Sequence, residues 1–281
     1  MSTIKDLLMK GKLIACPAIY DALSARILEK VGYEIAYISG SALAATTWAL
    51  PDMGLLTLTE VLERARAIAR AVTIPVICDV DTGFGGINNA RRMVVECEAA
   101  GISMVQIEDQ IFPPRAGTIP GKAVIPTEQF VAKLRGAVFA RKSEDFLIIA
   151  RTDCKETLGM DEVIERLNIY ADNGADVAMS GSFHTLEECK RMTKEVKIPI
   201  AAMCFPNQID IPINQWEETG ASILIYMWLP FFAVIKTATR ALQLLKAKGT
   251  VVDMKEELAT LEDRSDLLQI DEWLRWAEKW T

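Results

Sequence analysis

The chain has 281 residues, 51% apolar and 25% charged, with 31 basic against 38 acidic side chains and a formal net charge of −7. This describes a globular protein with a sizeable core, and the acidic balance excludes a nucleic-acid partner that needs a basic face. A single histidine, His184, excludes most zinc sites and leaves a Ser–His–Asp triad hanging on one residue.

The six cysteines (Cys16, Cys78, Cys97, Cys154, Cys189 and Cys204) form no Cys-x-x-Cys pair, and the N-terminus carries no signal-peptide pattern. They read as reduced thiols of a cytoplasmic protein. The most apolar stretch, 223–235, contains Pro230 and falls short of the ~20 residues a membrane span requires. No membrane and no nucleic acid is therefore expected among the partners.

In chain order, short β-branched runs are predicted as strands at 13–16, 35–38, 74–78, 104–107, 146–150, 176–179, 198–202 and 222–226. They are apolar on both faces, as buried parallel strands are. Four follow a glycine that stops a helix (Gly32, Gly101, Gly174, Gly220), and two open on Ile-Pro, where proline loses no ladder hydrogen bond. Helical patterns at 58–72, 88–100, 127–141, 161–173, 185–196 and 229–248 separate them. Eight β-α units in this length point to a (β/α)8 TIM barrel. A doubly wound sheet is the competitor, but no Gly-x-Gly-x-x-Gly follows the first strand.

Two segments stand outside the repeat. Residues 110–124 form a long connection with the character of a gating loop. The barrel is expected to span 1–250, followed by a helical extension over 251–281. Its last piece, 266–280, aligns Leu267, Ile270, Trp273, Leu274 and Trp276 on one stripe that needs a cover, on its own barrel or on a neighbouring subunit.

In a TIM barrel, catalytic groups project from the C-terminal strand ends. The second predicted strand ends Ser39-Gly40-Ser41, the third Asp79-Val80-Asp81, the fourth Glu108-Asp109 and the fifth Arg151-Thr152-Asp153. Carboxylates converging at one edge repel one another unless a cation compensates. All-oxygen donors select Mg2+ or Mn2+. In an extended segment Asp79 and Asp81 share a face and both reach one ion. Arg151 offers a fork to a substrate carboxylate, and metal plus arginine suits an α-oxo or α-hydroxy acid whose enolate charge falls on the ion. Capping, turn or loop-backbone roles remain open for Asp79, Asp81, Glu108 and Asp109, as does a structural ion pair for Arg151. The glycine-rich stretch 82–86 lacks the lysine of a phosphate loop, and His184, just before a capping box, reads as a loop residue.

With Tyr37-Ile38-Ser39-Gly40-Ser41, Leu50-Pro51-Asp52, Asp79 through Gly86, Ile107-Glu108-Asp109-Gln110 and Ala150-Arg151-Thr152-Asp153 in this order, the sequence resembles the isocitrate lyase/phosphoenolpyruvate mutase superfamily, in its methylisocitrate lyase-like branch. The likeness covers roughly residues 11–250. It implies a barrel enzyme, usually a homotetramer with the last helix exchanged between neighbours. It implies Asp79 as direct Mg2+ ligand, with Asp52, Asp81 and Glu108 holding the ion's waters. Tyr37, Ser39, Gly40 and Ser41 would surround the oxo-acid end of a small carboxylic-acid substrate, and Arg151 would bind its carboxylate.

The departures are as informative. Family lyases carry Lys-Arg-Cys-Gly-His on the gating loop; here it reads Pro114-Arg115-Ala116-Gly117-Thr118. A glutamate expected after the sixth strand is Gly181, and an asparagine expected after the seventh is Met203. The expected function is a Mg2+-dependent lyase acting on a C–C bond of a small 2-oxo or 2-hydroxy acid, either decarboxylating an oxaloacetate-like acid or cleaving a substituted malate. Tyr37 is a candidate base and Arg115 a lid residue that closes on the substrate. Met179, Met203, Phe205, Met227 and Trp228 would make its surroundings less polar. P–C chemistry on a phosphonopyruvate-like acid and a non-catalytic binding protein are the alternatives.

Overall fold

The computed structural model describes residues 3–116 and 119–280. Its eight parallel strands are β1 (Ile14–Ile19), β2 (Ala36–Ile38), β3 (Val76–Asp79), β4 (Met104–Glu108), β5 (Leu147–Thr152), β6 (Val177–Ser180), β7 (Ile200–Cys204) and β8 (Ile223–Tyr226). They follow one another around a closed barrel in sequence order, with β1 pairing β8. The chain is a (β/α)8 TIM barrel, and the doubly wound alternative is excluded. The connecting helices are α2 (Ala22–Val31), α3 (Gly40–Trp48), α4 (Leu58–Ala71), α5 (Ile87–Ala99), α6 (Thr127–Ala140), α7 (Lys155–Leu158), α8 (Met160–Asp172), α9 (Leu186–Glu195) and α10 (Ile213–Glu217), preceded by α1 (Ile4–Met9).

Two layers of core hold the barrel. Outside it, the inward stripes of the helices pack on alternate strand residues such as Ile38, Cys78, Val105, Ile148 and Leu224. Inside, Ile14, Ile35, Ile77, Met104, Ile149, Val177 and Ile223 interdigitate, joined by Ile4 and Leu7 of α1. The strands are buried on both faces, which explains their continuous apolar runs. Met179, expected beside the substrate, belongs to this interior layer and is fully buried. All six cysteines are free and buried.

Contacts divide the chain into a compact unit up to Leu229 and a second one from Pro230. The second comprises most of α11 (Leu229–Lys248), then α12 (Leu261–Leu268) and α13 (Ile270–Glu278). The continuous stripe expected over 266–280 is interrupted. Gln269 is left-handed at φ 55°, which ends α12 and re-aims α13. Trp273, Leu274 and Trp276 of α13 are exposed.

Candidate active site

A cavity opens at the C-terminal ends of the strands. Ser39, Ser41, Asp52, Asp79, Asp81, Glu108 and Arg151 form one side, and Gly181, Met203, Phe205, Met227 and Trp228 the other. Pro114, Arg115 and Ala116 of the 110–124 segment complete the lining. Barrel order sorts the chemistry. Residues from β2 through β5 are polar or charged, and those from β6 through β8 are apolar.

The chain turns sharply after each charged strand, which brings the side chains together. Ser39 caps α3, its Oγ accepting from the Ala42 N–H at 3.3 Å. The first helical N–H, that of Gly40, donates to Asp79 Oδ2 at 3.4 Å. The positive end of α3 therefore faces this carboxylate. A Cβ on Gly40 would stand 3.2 Å from Asp79 Oδ2, so a glycine lets strand and acid approach. Asp81 is not extended, as the two-residue spacing implied; it is left-handed at φ 49°, and its own N–H donates to Asp79 Oδ1 at 3.2 Å. Both acids line the cavity through a turn, not through a shared strand face.

The acids crowd one another. Burial, with Asp79 nearby, pushes the Asp52 carboxyl up to about 6, opposed by Arg151 and a hydrogen bond from Ser41. Burial raises Asp79, although Arg151 and two N–H groups pull it down. Asp81 is raised well above the carboxylate range by burial and by the charges of Asp79 and Asp52. Glu108 is raised likewise, chiefly by burial, against the pull of Arg151. Such a group of groups invites positive charge.

Arg151 pairs with Glu108, its register partner on β4, at 3.0 Å from Nη1 to Oε2. Its Nε and Nη2 donate to the two oxygens of Asp153 at 2.7 and 3.0 Å. Burial works against the charge of Asp153, but Arg151 and then Lys122 hold its carboxyl below the ordinary range. Lys122 Nζ lies 3.3 Å from Asp153 Oδ1 and 3.3 Å from Glu156 Oε2. A side chain on Gly181 would occupy the place of this guanidinium, its Cβ 2.5 Å from Arg151 Nη2 and from Asp153 Oδ1.

Gly40 itself does not line the cavity, and Tyr37 stands apart as well. It is fully buried, is absent from the cavity lining, and donates its hydroxyl to Gln106 Oε1 at 2.6 Å. Burial and then Asp79 raise it well above a phenol's usual range, opposed by Arg151. That chemistry fits a donor that orients Gln106, not a base. Arg115 lines the cavity through its place in the segment, but its guanidinium donates to the Pro120 carbonyl at 2.7 Å. Gly117 and Thr118 of the gating-loop motif lie outside the described residues.

Sequence reasoning missed Gln106, Gln110, Lys122 and Asp153 as site components. Asp153 was visible as the acid two residues beyond Arg151. Nothing local signalled a lysine buried against an acid 31 residues away.

Among the described residues, no three histidine, cysteine, aspartate or glutamate side chains converge to ligate one ion directly. The donor set still fits a hard divalent cation: four carboxylic acids line one cavity, with no cysteine or histidine among its lining residues.

The comparisons with known proteins agree with this geometry. The family model for phosphoenolpyruvate phosphomutase matches residues 4–246. The 2-methylisocitrate lyase of Aeropyrum pernix is 36% identical over 94% of this chain and 86% of its own. Among solved structures, oxaloacetate acetylhydrolase in complex with 3,3-difluorooxalacetate superposes with a TM-score of 0.92 at 27% identity, covering 99% of this chain and 95% of that one. Phosphonopyruvate hydrolase in complex with oxalate and Mg2+ superposes at 0.88 and 29% identity, over 99% and 97% of the two chains. On barrel, strand-end acids and sequence together, the chain belongs to the phosphoenolpyruvate mutase family of the isocitrate lyase superfamily.

Proposed function

We propose that the protein is a Mg2+- or Mn2+-dependent lyase that breaks a C–C bond beside the oxo or hydroxy group of a small carboxylic acid, with decarboxylation of an oxaloacetate-like acid as the best-supported reaction. The observation that carries this reading is the division of the cavity, acids and Arg151 from β2–β5 facing an apolar wall from β6–β8. Asp79 would hold the ion, with Asp52, Asp81 and Glu108 around its waters. When bound, the ion supplies positive charge at the oxygen where an enolate's charge develops. The relative that binds oxalate and Mg2+ supports this choice of ion.

Arg151 binds the carboxylate next to the oxo group. Its Nε/Nη2 edge is committed to Asp153, so the ligand takes the Nη1/Nη2 edge now shared with Glu108. Ser39, Gly40 and Ser41 flank the oxo end. The far carboxylate then faces Met203, Phe205 and Met227, which offer it neither cation nor donor. Loss of CO2 leaves the bonding pair in the oxo-acid enolate, which takes one proton from solvent. No general base is required, in keeping with Tyr37 as a committed hydrogen-bond donor. Retro-aldol cleavage of a substituted malate would instead place charge on the far fragment, where the wall is apolar.

Phosphonate chemistry would need further cations. Lys122 is already paired with Asp153 and Glu156, and the Arg115 guanidinium with a carbonyl. The assembly is proposed as a cytoplasmic homotetramer exchanging C-terminal helices. Support comes from the superfamily resemblance and from the exposed Trp273, Leu274 and Trp276 face.

The test is pyruvate release with Mg2+ from oxaloacetate, substituted malates and phosphonopyruvate, run beside Asp79→Ala. Release from oxaloacetate that disappears with Asp79→Ala is the expected result. Oxalate binding without turnover of any substrate would assign a non-catalytic binding protein instead.

A further inference from the structure

Arg151 sits in the middle of a chain of five buried side chains that begins and ends in the stems of the 110–124 segment. On one side, Gln110 Nε2 donates to Glu108 Oε1 at 2.7 Å, and Glu108 Oε2 pairs with Arg151 Nη1 at 3.0 Å. On the other, Lys122 Nζ lies 3.3 Å from Asp153 Oδ1, and Asp153 grips Nε and Nη2 of Arg151. The same Gln110 holds both backbone polar groups of Arg115. Its Oε1 accepts from the Arg115 N–H at 3.0 Å, and its Nε2 donates to the Arg115 carbonyl at 3.0 Å. An antiparallel bridge between Gln110 and Val124 joins the two stems.

A lysine buried to 9% exposure is costly, and an apolar residue would pack the same space at least as well. What Lys122 adds is charge on the outer oxygen of Asp153, which keeps that carboxylate ionised and aimed at the guanidinium. Glu108 and Asp153 thus flank Arg151 from two sides, each steadied by one stem. We propose that Gln110 and Lys122 are positioning residues for Arg151: through Glu108 and Asp153 they fix its guanidinium and tie the Arg115 backbone to it. This deepens the proposed function and rests on the reading that Arg151 receives the ligand's carboxylate. Because the stems set Arg151, a ligand on Arg151 must in turn act on the stems; such coupling is reciprocal.

The experiment measures oxalate affinity by calorimetry in Mg2+ for wild type, Lys122→Met, Lys122→Arg and Gln110→Leu, each confirmed folded by its melting transition. Lys122→Met is expected to weaken oxalate about tenfold or more, with Lys122→Arg recovering most of it. In an Arg151→Lys background the Lys122→Met change should cost almost nothing further, because it acts through Arg151. A merely structural lysine would give additive losses. Affinity within about twofold of wild type for Lys122→Met, or full additivity, overturns the proposal. A second arm uses no ligand: limited trypsin cleavage after exposed Arg115 should be several-fold faster in Gln110→Leu and in Lys122→Met than in wild type. If wild type binds no oxalate in Mg2+, the functional reading fails. The trypsin arm still decides this inference, and wild-type cleavage rates in both variants overturn it.

Discussion

Gly181 carries information that its missing side chain makes easy to overlook. The space its Cβ would fill is taken by the Arg151 guanidinium and the Asp153 carboxylate. A methyl group there cannot be absorbed by a flexible tip, because both neighbours are buried and hydrogen-bonded to each other. Gly181→Ala should therefore displace Arg151 toward Glu108 and break the two-pronged grip of Asp153. Overpacking of this kind costs roughly 1–3 kcal/mol. Calorimetry should show oxalate affinity in Mg2+ falling by about tenfold or more, with the barrel still melting cooperatively. An unchanged affinity would mean that Arg151 has room to move and that its placement does not depend on the glycine. The sequence announced this position only as a departure from related lyases; its role follows from which neighbour fills the space.

At the scale of elements, the acids matter because of where their strands stop. Asp79 ends β3, and the left-handed Asp81 folds back over it, so two carboxylates of one turn share a half-buried corner. Asp81 receives no salt bridge among the described residues, and like charges crowd it. Asp81→Asn should raise the melting temperature of the metal-free protein, by about 1 kcal/mol or more in stability, while reducing Mg2+ affinity and turnover. A lower melting temperature would show that the carboxylate is structurally needed. The same turn shows what the sequence could and could not disclose. All eight strands were legible, because strands buried on both faces are continuous apolar runs and their glycine stops are local. That acids gather at the strand ends was legible too. The left-handed Asp81 was not, since the two-residue periodicity assumes continued extension. Helix α3 was also missed: it starts at Gly40, one residue after the three-residue β2, where Ser39-Gly40-Ser41 read as the end of the strand instead of a first turn capped by Ser39. In the tail, a helical stripe was correct in composition, but Gln269 cuts it with a backbone conformation no periodicity reveals.

For the whole molecule, the buried charges make stability a function of pH with two opposing parts. His184 is 4% exposed, and among the described residues neither ring nitrogen has a hydrogen-bond partner, Glu188 Oε2 lying 3.7 Å from Nδ1. Burial, then Lys155, lowers its pKa to about 4, against the pull of Glu188 and Glu156. A depressed pKa means the folded state resists protonation. Its contribution is fully present above the free-imidazole value of about 6.5 and is lost as pH falls toward 4. Asp52 runs the other way. Its carboxyl is raised from 3.8 to about 6, so its contribution is complete below 3.8 and is lost as pH rises through 6. Asp79, Asp81 and Glu108 are raised in the same direction and add to that loss. A divalent ion among these acids acts only on the second part, by favouring their charged forms and releasing their protons. The melting-temperature gain from a fixed excess of Mg2+ should therefore be small near pH 5 and grow toward pH 7.5. His184→Phe should alter the acid limb of the metal-free profile and leave the Mg2+ gain at pH 7.5 untouched. Calorimetry in two buffers of different ionisation enthalpy should show proton release on Mg2+ binding that declines as pH rises. A Mg2+ gain that is equal at pH 5 and pH 7.5, or binding without proton release near pH 6, would mean that the ion does not meet these carboxylates, and the strand-end cluster would then need another explanation for its accumulated charge.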